Sequence, residues 1–153
     1  MKDILIYAHS WNRWVIVLLW IMVLIRAYRG WKDKQPWDGK TARFTLLWMI
    51  ATDFQLLIGM LQYFIYSDRA LAARADMALA MKNSIQRFWA VEHIAAMVIV
   101  WILVHLGKSI SAREENQILK HKKLFIFALI AGIVMMAAIP WPFRFVDIPW
   151  IRL

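Results

Sequence analysis

The chain alternates long apolar blocks with short polar ones. Apolar character runs almost without interruption over 4–27, 44–66 and 88–106, and again over 124–139. The last block extends back to residue 121 because Lys122 and Lys123 carry their charge on long stems that reach an interface. A helix that crosses a bilayer needs about 20 mostly apolar residues. The pattern therefore predicts four spanning helices at about 4–27, 44–66, 88–106 and 121–139. The blocks are continuous, not alternating, and backbone groups in lipid must satisfy one another. Helices meet that demand within each segment, so a barrel is disfavoured. The expected fold is all-α, an integral membrane four-helix bundle forming a single domain over residues 1–153.

The connections suit a compact bundle. Residues 29–43 contain Gly30, Pro36 and Gly39, all turn formers. Residues 67–87 include the stretch 71–79, which reads as a short interfacial helix. The polar segment 107–119 carries Glu114 and Glu115, and Pro140 and Pro142 stop the fourth helix. Trp141 and Trp150 in the tail suit a membrane interface.

Composition sharpens this picture. Hydrophobic residues make up 62% of the chain, against about 45–50% in soluble domains. Their concentration in blocks separates a membrane protein from a soluble one with a large core. There is no cysteine, which excludes thiolate metal sites, iron–sulfur clusters and covalently attached c-type haem. The net charge of +9 comes from basic residues clustered between the apolar blocks, so membrane lipids with anionic headgroups are the expected partner, and nucleic acid is not. The run 4–27 is too long for a signal-peptide core and no A-x-A-like site follows it, so it reads as a retained first span.

Four crossings put the first and third connections on one side, here called side B, with both termini and the second connection on side A. Eleven of the nineteen Lys and Arg residues lie toward side B: Arg26, Arg29, Lys32, Lys34, Lys40, Arg43, Lys108, Arg113, Lys120, Lys122 and Lys123. The positive-inside rule then predicts side B in the cytoplasm and both termini outside, across a bacterial inner membrane.

Ionisable groups inside spans are costly, and by default they mark function. His9 and Arg13 lie on the first helix, Asp53, Gln55 and Gln62 on the second, Glu92, His93 and His105 on the third, and His121 opens the fourth. The first and third helices run in the same direction. His9 is the sixth residue of one block and His93 the sixth of the other, which puts both imidazoles at one depth, about 8 Å inside side A. Two facing histidines at one level are what bis-imidazole ligation of haem iron requires. Arg13 and Arg87 are candidates to pair with haem propionates, and Gly59 would let a flat macrocycle approach the second helix. The competing readings are structural or proton-handling histidines, an Arg13–Glu92 ion pair, and Gly59 as ordinary close packing. His105 and His121 both lie toward side B and form a candidate second ligand pair. The twelve-residue gap from His93 to His105, however, rotates His105 about 120° away from His93. Asp53 is read either as a structural hydrogen-bond partner or, with Gln55, as lining a quinone or proton route. No H-E-x-x-H, P-loop or G-x-S-x-G occurs, so nothing points to a hydrolase or a nucleotide-driven pump.

Several motifs resemble those of a group of short bacterial membrane proteins, of Bacteroidetes type, labelled cytochrome b-like. They are His9-Ser10-x-x-Arg13-Trp14, the run Gln55 to Gly59, Arg87-Phe88-x-x-Val91-Glu92-His93, Lys120-His121-Lys122 and Pro140-Trp141-Pro142-Phe143. The architecture is similar to that of the four-helix di-haem cytochrome b561 type. The resemblance implies His9 with His93 as one ligand pair and His105 with His121 as the other, with haem b as cofactor, one haem being favoured over two. It also implies electron transfer between a quinol pool or redox partner and another carrier, alone, as a homo-oligomer or with other respiratory subunits. The alternatives are a non-redox accessory subunit of a membrane complex and a small proton or solute carrier.

Overall fold

A computed structural model describes residues 1–145 and 148–150. Every regular element among them is helical. Helix α1 spans Lys2–Lys32. Helix α2 spans Gly39–Leu61 and continues through a π-helical turn, Gln62–Tyr66. Three short helices follow: α3 (Asp68–Ala75), α4 (Met77–Lys82) and α5 (Ser84–Arg87). A second π-helical turn, Phe88–Glu92, leads into α6 (His93–Ala112), and α7 covers Gln117–Ala138. Four of these segments, Lys2–Lys32, Gly39–Tyr66, Ser84–Ala112 and Gln117–Ala138, are long and apolar enough to cross a membrane. The protein is an all-α membrane four-helix bundle. Every span begins two to five residues before its apolar block, and the first and third also run five or six residues past it, because polar residues at helix ends reach water without leaving the helix.

Capping explains the side B connections. Asp38 is the N-cap of α2, and its Oδ1 accepts from the Thr41 N–H at 2.8 Å. Its other oxygen pairs with Arg26 of α1, which also donates to Thr41 Oγ1 at 3.1 Å. Burial raises the Asp38 carboxyl, but the Thr41 hydrogen bonds and Arg26 outweigh it and hold the group below its ordinary range. A depressed carboxyl contributes stability above its unfolded range, and that contribution disappears as pH falls through the folded one. Asp38→Ala is expected to cost about 1 kcal/mol, read as a lower thermal midpoint in detergent at pH 7. The difference from wild type should shrink at acidic pH. Asn116 caps α7 in the same way, accepting from the Ile118 and Leu119 N–H groups.

The bundle centre is built from Ile16, Val23 and Ala27 of α1, Trp48 of α2, Val100 and Val104 of α6, and Leu124, Ala128 and Ala131 of α7. Small residues let α1 and α7 approach closely. A β-carbon at Gly132 would fall within the Trp20 indole, whose Nε1–H donates to the Ala128 carbonyl at 2.8 Å. A β-carbon at Gly30 would likewise meet the buried His121 ring. Leu18, Leu47, Phe54, Leu57, Ile99 and Ile133 are exposed on the outer faces, as expected of helices solvated by acyl chains. Thr45 and Thr52 return their hydroxyls to carbonyls one turn back, at 2.8 and 2.7 Å, so neither hydroxyl is a bare donor in the apolar core.

Candidate functional site

Polar side chains of α2 fix its register against α1. Gln62 Nε2 donates to the Leu5 carbonyl at 2.8 Å, and Gln55 Nε2 to the His9 carbonyl at 3.0 Å. Asn12 Nδ2 donates back to the Ala51 carbonyl at 2.8 Å and to Gln55 Oε1 at 3.0 Å. Two glutamines seven residues apart thus meet two carbonyls four residues apart on the antiparallel neighbour. This clamp holds the backbone of His9 itself.

From α6, His93 points into the same region. The two imidazole centroids lie 6.4 Å apart with their planes at 65°. Phe88 and Trp89 pack on the other side of His93 at 5.5 and 6.0 Å. Both histidines line a cavity of about 170 Å³ between α1, α2, α6 and the end of α7, walled by Ile16, Leu56, Met97 and Met135. Gly59 also lines it, and a β-carbon there would come within 3.2 Å of His9 Cε1. The room Gly59 provides is therefore taken by the His9 ring.

The orientation of His93 follows from two prolines. Pro140 and Pro142 have no N–H, so the Met136 and Ala138 carbonyls of α7 lose the donors that a continuing helix would supply. The Trp141 indole donates to Met136 at 2.8 Å, and His93 Nδ1 meets the Ala138 carbonyl at 2.9 Å. A carbonyl only accepts, so Nδ1 carries the proton and Nε2 of the neutral ring keeps its lone pair. That is how metal-binding histidines are usually held. His9 Nδ1 is buried and has no hydrogen-bond partner among the described residues.

These features can be tested against an ion held by both rings. Imidazole–metal bonds run about 2.0–2.1 Å and a ring nitrogen lies about 1.1 Å from its ring centre, so two imidazoles on one ion have centroids about 6 Å apart. The observed 6.4 Å is close to that spacing, and it is equally the spacing of an ordinary edge-to-face ring contact. The orphaned His9 nitrogen and the oriented His93 ring fit a shared ion. Among the described residues no group of three or more His, Cys, Asp or Glu side chains converges.

The other predicted site residues are placed as follows. Arg13 lines the cavity and donates to the Trp150 carbonyl at 2.8 Å. Arg87 lies outside the cavity. It donates to Glu92 at 2.6 Å and to the Met81 carbonyl, so the expected propionate role does not fit it. Glu92 pairs with Arg87 and Arg144, and not with Arg13.

The expected His105–His121 pair is not brought together. His105 faces α2, with Nδ1 donating to the Trp101 carbonyl at 3.0 Å and Nε2 at 3.2 Å from Asp53 Oδ1. Trp101 Nε1 donates to the same oxygen at 2.7 Å. His121 is buried between Gly30 and Trp37, its Nε2 3.5 Å from the Pro36 carbonyl. The cause for His105 is rotational. No irregular turn separates it from His93, so the twelve-residue offset sends the two rings to different neighbours.

Three features of the site lie outside the sequence expectations: Asn12, the Trp150 carbonyl and the two π-helical turns. Tyr63 OH of one turn donates to the Ala90 carbonyl of the other at 2.6 Å, and Tyr63 and Trp89 both line the cavity. Such turns often occur at functional sites. Comparison with protein-family models, curated proteins and solved structures finds no match to the chain.

Proposed function

We propose that the protein is a b-type haem membrane protein that transfers electrons between a quinol pool or redox partner and another carrier, as a membrane subunit or alone. One observation carries the reading. Two imidazoles from non-adjacent spans meet in one cavity at a separation that suits a shared ion, with one ring already oriented by a backbone carbonyl. His9 and His93 would supply the axial nitrogens, and Arg13 on the cavity wall would pair with a propionate. A haem would supply an iron that cycles between two oxidation states. The chain's own contribution is to hold both rings at one depth, to keep the His93 Nδ1 proton on Ala138, and to line the slot with apolar side chains that exclude water. Gln55 fixes the His9 backbone, and Tyr63 fixes the turn that precedes His93. The excess of basic residues at side B favours a bacterial inner-membrane location with both termini periplasmic.

The test is the visible spectrum of the protein purified in detergent from haem-replete cells. A Soret band with a sharp α-band on dithionite reduction is expected, at about one haem per chain. A featureless spectrum overturns the reading and leaves the accessory-subunit alternative.

A further inference from the structure

At the side B ends of α1 and α7, two lysines converge on one indole. Lys32 Nζ lies 4.5 Å from the Trp31 ring centre, and Lys122 Nζ lies 5.5 Å from the same centre. Both lysines are exposed. Neither forms an ion pair among the described residues, although their neighbours do find partners. Lys123 is neutralised by Glu114, and Lys120 reaches Trp37 and the Ala112 carbonyl. Two unneutralised cations at a single aromatic ring repel each other, and the ring compensates only weakly at an exposed site. An anion bound at the same place offsets both charges.

The surface beneath the lysines is apolar and aromatic. Trp31, Tyr28 and Phe125 pack together, with ring centres 5.4–6.5 Å apart. Below them, Ile25 and Ile21 of α1 and Ile126, Leu129 and Ile133 of α7 are exposed along the two packed helices. Charge at the level of the headgroups therefore stands directly over a continuous apolar track. Basic pockets between spans at the membrane surface recognise anionic headgroups. We propose that Lys32 and Lys122, both beside Trp31 at the α1–α7 seam, bind the phosphate of an anionic phospholipid whose acyl chain lies along Tyr28, Phe125 and Ile126. The site is independent of any redox function at the opposite end of the bundle.

The experiment is native mass spectrometry of the full chain in detergent, titrated with phosphatidylglycerol, with phosphatidylcholine, and with inorganic phosphate as competitor. Wild type is expected to retain one phosphatidylglycerol in preference to phosphatidylcholine and to keep it against millimolar phosphate. Lys32→Gln with Lys122→Gln should weaken that retention about 30-fold. Lys40→Gln with Lys108→Gln removes the same charge from the same side and should leave the bound lipid in place. Equal loss in both double variants, or equal retention of phosphatidylcholine, overturns the proposal. Displacement by inorganic phosphate reassigns the site to a free anion and overturns the lipid. Lys32, Lys40 and Lys122 are exposed and Lys108 is half-buried, and none belongs to the core, so helical circular dichroism should be unchanged in every variant.

Discussion

His93→Ala protein is expected to leave purification with haem per chain reduced from about one to near zero, its helical circular dichroism unchanged. His93 sits beside the π-helical turn, with its Nδ1 on Ala138 and its other nitrogen available to the cavity. On the haem reading its removal would take away one of the two nitrogens that hold the iron, and it also removes the packing partner of Phe88 and Trp89. The helix itself depends on neither contact, since α6 is held along its length against α7 and α2. His9→Ala should match it, because on the same reading one imidazole alone would hold the group too weakly to survive purification. His105→Ala and His121→Ala serve as discriminating controls. His105 is engaged with Asp53 and Trp101, and His121 is wedged against Gly30 and Trp37. Both variants should retain the full haem complement, although His121→Ala opens a cavity and should lower the thermal midpoint. Full occupancy in the His93→Ala protein, or loss in the His105→Ala protein, would remove His9 and His93 as the ligand pair.

Why the sequence brought His9 and His93 near each other and mispaired the other two histidines is a matter of what periodicity encodes. Depth along a span is a count of residues from its entry point, and the first and third spans run in the same direction. His9 and His93 each stand sixth in their apolar blocks, and their rings lie 6.4 Å apart. Facing direction follows from rotation, which the twelve-residue step to His105 also exposed. His121 depended instead on the 33–38 connection, where Pro36 and Trp37 fold over the ring, and no periodic rule describes such a turn. The π-helical turns were hidden for a similar reason. Phe88–Glu92 is as apolar and helix-compatible as its neighbours, and only the Tyr63–Ala90 contact across the bundle shows why the extra residue is accommodated there. Pro140 and Pro142 were legible as a helix stop. Their second consequence, two carbonyls left in need of donors, was equally present in the sequence, and His93 and Trp141 answer it. Asp53 was read partly as a structural hydrogen-bond partner, and the Trp101 indole fills that role.

Gly132→Ala should be the most damaging single methyl group in the bundle. The added β-carbon would occupy the space of the Trp20 six-membered ring, and the indole cannot retreat while Nε1 is bonded to the Ala128 carbonyl. Overpacking of this kind costs about 1–3 kcal/mol. Swinging the indole aside leaves its N–H without a partner in an apolar setting, at about 1–3 kcal/mol more. For a chain of this length the two together lower the thermal midpoint by roughly 5–15 °C. The mechanism is separable from mere loss of a helical glycine, because alanine is the better helix former and would otherwise stabilise α7. A double-mutant cycle makes the distinction. Trp20→Leu alone loses the hydrogen bond and part of the packing, but it vacates the space that the new methyl group needs. Gly132→Ala in the Trp20→Leu background should therefore cost little or be stabilising. The coupling between the two sites should reach about 2–3 kcal/mol, well beyond the few tenths expected of independent positions. Additive midpoint shifts would show that the α1–α7 contact does not depend on this close approach, and that small residues along the seam are there for some reason other than packing.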